Sequence, residues 1–364
     1  MREIILIKNE ELLFAKDDSI FDDGQFRCLS IHNITNSVMN SITKSRIHSV
    51  ITFGTDELPE SFIGTLMTNF KLLKVLDFQN APALNSLPEE VGNLLHLRYL
   101  SLRKTKVKVL PKSIGRLRYL LTLDLKESLV DELPIEINRL HKLRHLLASN
   151  RPYSQVVKIH EGFGCLKDLQ KLNLVELAND HGKSLVKELI MLRQMRKLGI
   201  INLKKEEGKD MCIAVENMSH LQSLHVIATQ NGILDLQHIL SPPNSLQHLV
   251  LTGQLEKFPN WISKLQNLVT ISLCDSSLTE DPLKSLQTLP NLLELVLNNA
   301  YDGKVLHFEE GGFQKLEQFQ LYDMTKLISL KVDTGALPLL QAARIFKCWN
   351  LAEVSENIGN IVIF

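Results

Sequence analysis

The chain has 364 residues, 44% of them hydrophobic, and its 41 lysines and arginines balance 41 aspartates and glutamates. This neutrality, and the lack of aromatic residues interleaved with its basic residues, argue against a nucleic-acid-binding function. Five scattered cysteines without C-x-x-C spacing, no secretory signal and no apolar run of about 18 residues predict a cytoplasmic protein with no integral membrane segment.

The N-terminal segment precedes any repeated pattern. Residues 10–16 have a composition that predicts a helix, and the aspartate-rich stretch after them indicates a polar linker. We therefore expect residues 1–22 to lie outside the repeats and to end in a linker, and residues 23–364 to form one elongated repeat domain.

A repeated phrase, L-x-x-L-x-L, returns every 22 to 26 residues along the rest of the chain. Because side chains alternate across a strand, the three apolar positions should point inward and the x positions outward. The period predicts an α/β leucine-rich-repeat solenoid (a horseshoe), with a parallel concave sheet of about 14 short strands and helical turns on the convex side. Twelve phrases begin at Leu73, Leu97, Leu120, Leu143, Leu169, Met195, Leu221, Leu246, Leu268, Leu292, Leu316 and Leu340, and two weaker ones at Phe26 and Ile47.

The second half of several repeats carries a proline followed by apolar residues three apart. This spacing predicts a short helical or 3₁₀ turn, with the proline at its first position. The prolines are Pro88, Pro111, Pro134 and Pro259.

Between residues 150 and 245 the proline turn is missing and the units are longer. Apolar spacing from Leu185 to Met195 predicts a longer helix there, whereas the polar residues 204–209 indicate a loop. The chain ends in an apolar stretch without the polar cap that terminal repeats need, so we expect the repeat domain to be truncated at its C-terminus relative to a longer parent.

Motifs of nucleotide hydrolysis, dinucleotide binding, acyl transfer and zinc proteolysis are absent from the sequence. His141 and His145 are four residues apart, but Leu143 between them opens a strand phrase, so the two do not share a helical face. We expect no enzyme activity and no catalytic, cofactor-binding or metal-binding residues in this chain.

The early repeats are rich in basic residues on predicted exposed positions. Such guanidinium and ammonium groups on successive strands repel one another, which is more easily understood if an acidic protein surface covers them. The alternative is a solvated basic face that keeps the protein soluble. The candidate residues are Lys74, Arg98, Arg103, Lys104, Lys126 and Arg144.

The late repeats expose aromatic residues mixed with polar ones, a composition typical of protein-recognition surfaces. Two of the aromatic side chains, Tyr322 and Phe346, could alternatively be fillers that flank the core. The candidate recognition residues are Glu294, Asn298, Glu317, Gln320, Tyr322, Arg344 and Phe346.

A family resemblance rests on the phrase Phe26-Arg27-Cys28-Leu29-Ser30-Ile31-His32-Asn33 and on Leu97-Arg98-Tyr99-Leu100-Ser101-Leu102. Both resemble phrases in the leucine-rich-repeat domain of plant intracellular nucleotide-binding leucine-rich-repeat disease-resistance proteins of the coiled-coil class. Residues 1–15 are similar to the last helix of the preceding domain in that family. The extracellular plant receptors have an L-x-G-x-I-P phrase instead, which is missing here.

The resemblance implies a function in plant defence and innate immunity. In that family the repeat domain keeps the nucleotide-binding module inactive and helps to recognise a pathogen effector or a guarded host protein. The implied partners are the receptor's own coiled-coil and nucleotide-binding domains, contacted by the basic repeats, and the effector or guarded protein. The ADP/ATP site would lie in an upstream domain that this sequence lacks, and any plasma-membrane association would be peripheral, through a parent receptor or its partners.

An alternative function remains open at this stage. Similar proline-turn repeats occur in free-standing intracellular scaffolds, and the chain could be such a scaffold that binds a signalling protein such as a GTPase.

Overall fold

A computed structural model describes residues 12–15, 27–31, 47–52, 60–148, 156–177, 185–356, 358 and 361–363. The chain divides into two compact units, Met1–His181 and Gly182–Phe364. Within the described residues, no helix has the length and apolar character needed to cross a bilayer.

The N-terminal unit is a stack of short parallel strands, each hydrogen-bonded to the strand of the next repeat. One strand pairs with two others, since Lys171–Asn173 pair with residues 145–147 and Val175–Leu177 pair with residues 157–159. The strands are β1 (Leu12–Ala15), β2 (Cys28–Ile31), β3 (Ser49–Thr52), β4 (Val75–Asp77), β5 (Tyr99–Ser101), β6 (Thr122–Asp124), β7 (His145–Leu147), β8 (Val157–Ile159) and β9 (Lys171–Leu177).

Helical turns follow the strands of this unit. Among the described residues of this unit, an α-helix, α1, spans Glu60–Asn69. The prolines stand one position earlier than we predicted: Pro88, Pro111 and Pro134 are N-caps with extended backbone, not first helical residues. An extended cap suits proline because its fixed φ is compatible with that region. The 3₁₀ helices span Glu89–Asn93, Lys112–Arg116, Ile135–Arg139 and Phe163–Cys165.

The C-terminal unit repeats this plan with longer strands and adds a second sheet. Its main strands are β10 (Lys197–Leu203), β11 (Ser223–Ala228), β12 (His248–Thr252), β13 (Thr270–Cys274), β14 (Glu294–Asn298), β16 (Gln318–Tyr322), β18 (Ala342–Phe346) and β20 (Ile361–Ile363). The second sheet, also parallel, contains β15 (Val305–Phe308), β17 (Ser329–Val332) and β19 (Glu353–Val354).

Helices of the C-terminal unit include the longer one that the spacing predicts, a 3₁₀ helix over Leu185–Met191. The predicted loop over residues 204–209 is wrong. A 3₁₀ turn, Lys205–Glu207, runs directly into α2, Gly208–Glu216, because the Glu207 carboxylate accepts the Lys204 N–H at 3.0 Å and caps the turn. The remaining helices are a 3₁₀ turn at Ile262–Lys264 and α3 at Leu283–Leu286.

The core confirms the leucine period. Each of the 14 predicted phrases carries a strand. The side chains of Phe26 and Ile31 lie outside the described part of the structure, and the other apolar positions of the phrases are buried with two exceptions. Leu174 is half-buried with φ at +47°, and Val175 takes the buried place instead. Leu340 is also half-buried. The parallel sheets and buried leucine ladder are those of a leucine-rich-repeat solenoid.

The helix predicted over residues 10–16 is wrong in the part that the structure describes. Leu12–Ala15 form β1, which pairs in parallel with β2. An unpaired strand edge is a ready template for another extended segment, and here the apolar segment before the first repeat occupies it.

Candidate functional site

The open face of each sheet is the face opposite the buried leucines. In the N-terminal unit two columns of side chains run across it, because the strands pair in register. Thr122 pairs with His145, and the Thr122 hydroxyl lies 3.0 Å from His145 Nδ1. Desolvation by burial, followed by the nearby charges of Lys171 and Arg144, lowers the pKa of His145.

The six predicted basic residues lie on this unit in two rows. Lys74, Arg98 and Arg144 immediately precede β4, β5 and β7 and are exposed. Arg103, Lys104 and Lys126 instead follow β5 and β6. Because a strand advances about 3.3 Å per residue, roughly 16 Å separates the two rows along the chain.

The row that follows the strands is partly neutralised by an acidic neighbour. Glu127 Oε1 lies 2.9 Å from Arg103 Nη2, and Glu127 Oε2 lies 3.7 Å from Lys104 Nζ. All three side chains are at least a third exposed, and such surface pairs contribute about 0–1 kcal/mol each.

A buried carboxylate also lies beside this row. Asp124 is 7% exposed, and its Oδ1 accepts the Lys126 N–H at 3.0 Å. Burial raises the pKa of Asp124, although Lys126 and Arg103 oppose the shift. A count of charges along the sequence could not reveal the effect of Arg103 on the pKa of Asp124, since the two residues are in different repeats.

The basic residues of the row that precedes the strands are not paired with acidic side chains. No salt bridge joins Lys74, Arg98 or Arg144 to an acidic side chain among the residues that the structure describes. Lys74 and Arg98 also line a small depression of about 160 Å³ together with His96 and Tyr119. Lys126 likewise has no salt bridge among the described residues, so Lys74, Arg98, Lys126 and Arg144 are the predicted basic residues that no described acidic side chain neutralises through a salt bridge.

The C-terminal unit brings several predicted recognition residues together. Asn298, Tyr322 and Phe346 are register partners on β14, β16 and β18, and Gln320 is the register partner of Arg344. Glu317 precedes β16 and lies half-buried outside this group. Arg344 is exposed.

Hydrogen bonds link three of these side chains, and ring stacking joins a fourth. Tyr322 Oη donates to Gln320 Oε1 at 2.8 Å, and Gln320 Nε2 donates to Glu294 Oε1 at 3.2 Å. The Tyr322 and Phe346 rings stack in parallel, with centroids 5.1 Å apart. Both rings are half-buried and alternate with the buried Leu321 and Ile345, so they lie on the open face.

Two polar side chains that the sequence analysis did not single out extend this network. His248 Nδ1 lies 2.9 Å from the Thr270 hydroxyl, and Thr270 is the register partner of Glu294. Burial, followed by the charge of Lys197, lowers the pKa of His248, while Glu294 acts in the opposite direction. His248 and Thr270 occupy x positions of their strand phrases, and this pattern could have predicted that both lie on the open face.

Within the described part of the chain, no group of three or more histidine, cysteine, aspartate or glutamate side chains could hold a metal ion. Cys212 forms no disulfide bond, and its pKa is raised to about 11, mainly by burial. A protonated, buried thiol is a poor nucleophile.

Comparison with protein families gives a match over most of the chain. The sequence profile of the family described as "Leucine-rich repeat region" matches residues 46–361. Among curated proteins, disease resistance protein RPM1 of Arabidopsis thaliana is 30% identical over 61% of this chain and 24% of its own length. A probable disease resistance protein of the same plant is 28% identical over 98% of this chain and 40% of its own length.

This chain thus spans two fifths or less of these two relatives. Solved structures with the same fold include a leucine-rich-repeat protein of Leptospira interrogans, 20% identical with a TM-score of 0.56 over 91% of this chain and 92% of that one. The crystal structure of a TDR receptor is 18% identical with a TM-score of 0.62 over 93% of this chain and 64% of that one.

Proposed function

The chain belongs to the leucine-rich repeat region family and is homologous to plant disease resistance proteins, and from this premise we propose that it is the sensor and autoinhibitory domain of an intracellular plant immune receptor. Leucine-rich-repeat domains bind proteins through their extended surfaces. The observation that carries the proposal is that two chemically different surfaces, one basic and one aromatic and polar, occur on one repeat array.

The first surface is the basic one in the N-terminal unit. Lys74, Arg98 and Arg144 have no acidic partner among the described residues, so they are available to an acidic surface of the receptor's own coiled-coil and nucleotide-binding domains. Arg103 and Lys104 contribute less, since Glu127 already neutralises part of their charge.

The second surface is the network on the C-terminal unit. Glu294, Gln320, Tyr322 and Phe346 hold one another in place, which lowers the entropy lost when a partner binds. Aromatic anchors surrounded by polar groups are typical of binding hot spots. In this proposal they contact an effector or a guarded host protein, and that contact disfavours the inactive packing through a difference in affinity between the two states.

The reading frame upstream of this sequence provides the first test. A coding segment for a phosphate-loop domain is expected there, and its absence would overturn the proposal. Absence of that segment, together with tight binding of the isolated chain to a GTPase, would identify the free-standing scaffold instead.

Charge reversal in the full-length receptor tests the mechanism. Replacing Arg98 and Arg144 with glutamate should raise signalling without a pathogen, because it weakens the inhibitory contact. The matched control reverses Lys106 and Lys108, which are exposed in a loop of the same unit, and should leave basal signalling unchanged. Equal effects from both variants would contradict the assignment.

The recognition surface needs a separate readout. Replacing Tyr322 and Phe346 with alanine should abolish the effector-triggered response and leave basal signalling unchanged. Leu240→Ala serves as the control, because Leu240 is 78% exposed in the same unit and lies outside the network. A triggered response that survives the double replacement would remove this surface from the proposal.

A further inference from the structure

Five two-residue turns of the N-terminal unit lie side by side, each just before a strand. The turns are residues 71–72, 95–96, 118–119, 141–142 and 167–168, and they precede β4, β5, β6, β7 and β9. Because these strands are neighbours in register, the turns form one continuous edge. We call these ten residues, with Lys74, Arg98 and Arg144 that follow three of the turns, the turn edge.

The turn edge is basic and also exposes apolar side chains. It carries seven lysines and arginines and a single acidic residue, Asp168, which pairs with Lys142 at 3.7 Å. Between the charges, Leu72 is 46% exposed, Leu95 53% and Tyr119 59%. Three large apolar side chains in one basic edge are unexpected if solubility alone shaped it.

The equivalent turns of the C-terminal unit show what the fold itself requires. There asparagine side chains bond to the preceding repeat: Asn267 Nδ2 donates to the Asn244 carbonyl at 2.9 Å, and Asn291 Nδ2 donates to the Gln266 carbonyl at 2.9 Å. Lys315 Nζ donates to Asn291 Oδ1 at 2.7 Å. These turns therefore use their side chains to tie successive repeats together.

In the part of the chain that the structure describes, the turn edge has one link of this kind, the salt bridge between Lys142 and Asp168 at 3.7 Å. Among the described residues, the side chains of His96, Arg118 and Tyr119 form no hydrogen bond or salt bridge. His96 and Tyr119 are thus exposed at the second turn position, where the other unit has Asn267 and Asn291, and Arg118 is exposed at the first. The difference indicates that an external ligand, and not the repeat stack, accounts for these residue types.

We propose that the turn edge is a docking surface for an anionic lipid bilayer. The leucine side chains bury apolar surface in the headgroup region, and tyrosine is favoured there because it has an apolar ring and a polar hydroxyl. The lysines and arginines contact lipid phosphates. The depression between Lys74, His96, Arg98 and Tyr119 is of a size to admit a single phosphate group.

The spacing of the charges supports a lipid surface. Neighbouring strands are about 4.8 Å apart, so five turns extend over roughly 20 Å and the charges lie within one or two screening lengths. A bilayer offers anionic charge and apolar depth together along this whole length. An acidic protein surface without apolar groups would match the charges but would leave Leu72, Leu95 and Tyr119 exposed to solvent.

The inference does not depend on the proposed receptor function, although Lys74, Arg98 and Arg144 belong to both surfaces. Lipid binding can be measured with this chain alone, without any upstream domain. A failure of lipid binding would leave the effect of Arg98 on basal signalling intact, and the two ideas can therefore fail separately.

The experiment measures co-sedimentation of the full chain with vesicles of phosphatidylcholine, with or without about 30 mol% phosphatidylserine. We expect binding to the anionic vesicles only, and its loss when salt rises from about 0.1 M to about 0.5 M. Arg98→Gln with Arg118→Gln should weaken partitioning by about 30-fold, since each basic residue near such a surface contributes roughly fivefold.

Two further variants separate a lipid surface from an acidic protein. Leu95→Ser with Tyr119→Ser leaves the charge unchanged and should weaken vesicle binding about tenfold or more through lost apolar burial. Lys106→Gln with Lys108→Gln removes two charges outside the turn edge and should have little effect. All four side chains that are changed to serine or glutamine in the turn edge are exposed, so the variants should fold, which circular dichroism checks.

The outcomes are decisive in each direction. No binding to anionic vesicles overturns the proposal. The proposal is also overturned, in favour of an acidic protein partner, if the Leu95→Ser, Tyr119→Ser variant binds anionic vesicles as well as the unchanged chain does and a soluble polyglutamate peptide displaces both from the vesicles. Selective binding that both turn-edge variants weaken, and the lysine control does not, supports it.

Discussion

Tyr322 and Phe346 stack on neighbouring strands with their ring planes parallel to within 3° and their centroids 5.1 Å apart. The Tyr322 hydroxyl donates to Gln320, so one ring is fixed at both its face and its edge. We expect Phe346→Ala to lower the free energy of unfolding by about 1–2 kcal/mol, since a stacked pair contributes about 0.5–1.5 kcal/mol beyond apolar burial.

Tyr322→Phe is the matched control for that experiment. It keeps the stacked ring and removes only the hydroxyl, so the loss should stay below about 1.5 kcal/mol and below that of Phe346→Ala. Urea unfolding of the two variants measures both values. A larger loss for Tyr322→Phe would show that the hydrogen bond, and not the stack, stabilises this surface.

The leucine ladder should be sensitive to a single buried charge. Leu100 and Leu123 are both 0% exposed and stand on adjacent strands, so aspartate at either position would bury an unpaired carboxylate. We expect Leu100→Asp to lower the free energy of unfolding by at least about 4 kcal/mol. Hydrogen exchange should show the loss of protection concentrated in the neighbouring repeats, because each repeat is stabilised by its neighbours.

Lys106→Asp provides the comparison for Leu100→Asp. Lys106 is exposed in the same repeat, and a surface substitution typically changes stability by no more than about 0.5 kcal/mol. Similar losses from both variants would contradict burial of the leucine phrase.

Asp124 should make stability depend on pH. Burial raises its pKa in the folded protein above the usual value of an unfolded chain. A raised folded pKa means that the stabilisation is present below the unfolded pKa and is lost as pH rises through the folded pKa. Asp124→Asn should therefore raise the free energy of unfolding above that of the wild type at pH 7, and this gain should be smaller at pH 4. The asparagine side-chain oxygen can still accept the Lys126 N–H.

The measurement for Asp124→Asn is urea unfolding between about pH 4 and pH 7, where the carboxylate titrates. Asp131→Asn makes the same charge change at an exposed position and is the control. A destabilised Asp124→Asn protein at pH 7 would show that attraction to Arg103 and Lys126 outweighs the cost of burial.

Gly253 should tolerate no side chain. Its φ is +136°, and a Cβ atom there would lie 2.6 Å from Ala228 Cβ, so Gly253→Ala combines backbone strain with a steric clash. We expect a loss of about 3 kcal/mol or more. Gly311 has a φ of +73° but no atom within 4 Å of its Cβ position, and Gly311→Ala should cost only about 1 kcal/mol.

Thermal unfolding of the two glycine variants tests this difference. The melting temperature of Gly253→Ala should fall well below that of Gly311→Ala. Equal shifts would mean that conformation alone, and not the close approach of Ala228, explains the need for glycine at position 253.

The leucine period by itself determined the fold class, the 14 strands that lie in its phrases and the buried residues of those phrases. It did not predict six further strands, which are β1, β8, β15, β17, β19 and β20. A regular repeat makes such prediction possible because each unit meets the same neighbours, so Leu100 and Leu123 share one environment. The period also placed Glu294, Gln320, Tyr322 and Phe346 on the open face. Their joining into one network followed from register, which a single repeat does not encode.

Only the tertiary structure decided which charges remain available. Arg103 pairs with Glu127 and Asp124 lies buried near it, although these residues are 24 and 21 positions away from Arg103 in the sequence. The hydrogen bond from the Lys204 N–H to the Glu207 carboxylate likewise caps a helical turn within residues 204–209, which were predicted to be a loop from their polarity. Charge and polarity along a sequence do not specify contacts between repeats, because those contacts depend on which side chains the stacking brings within hydrogen-bonding distance.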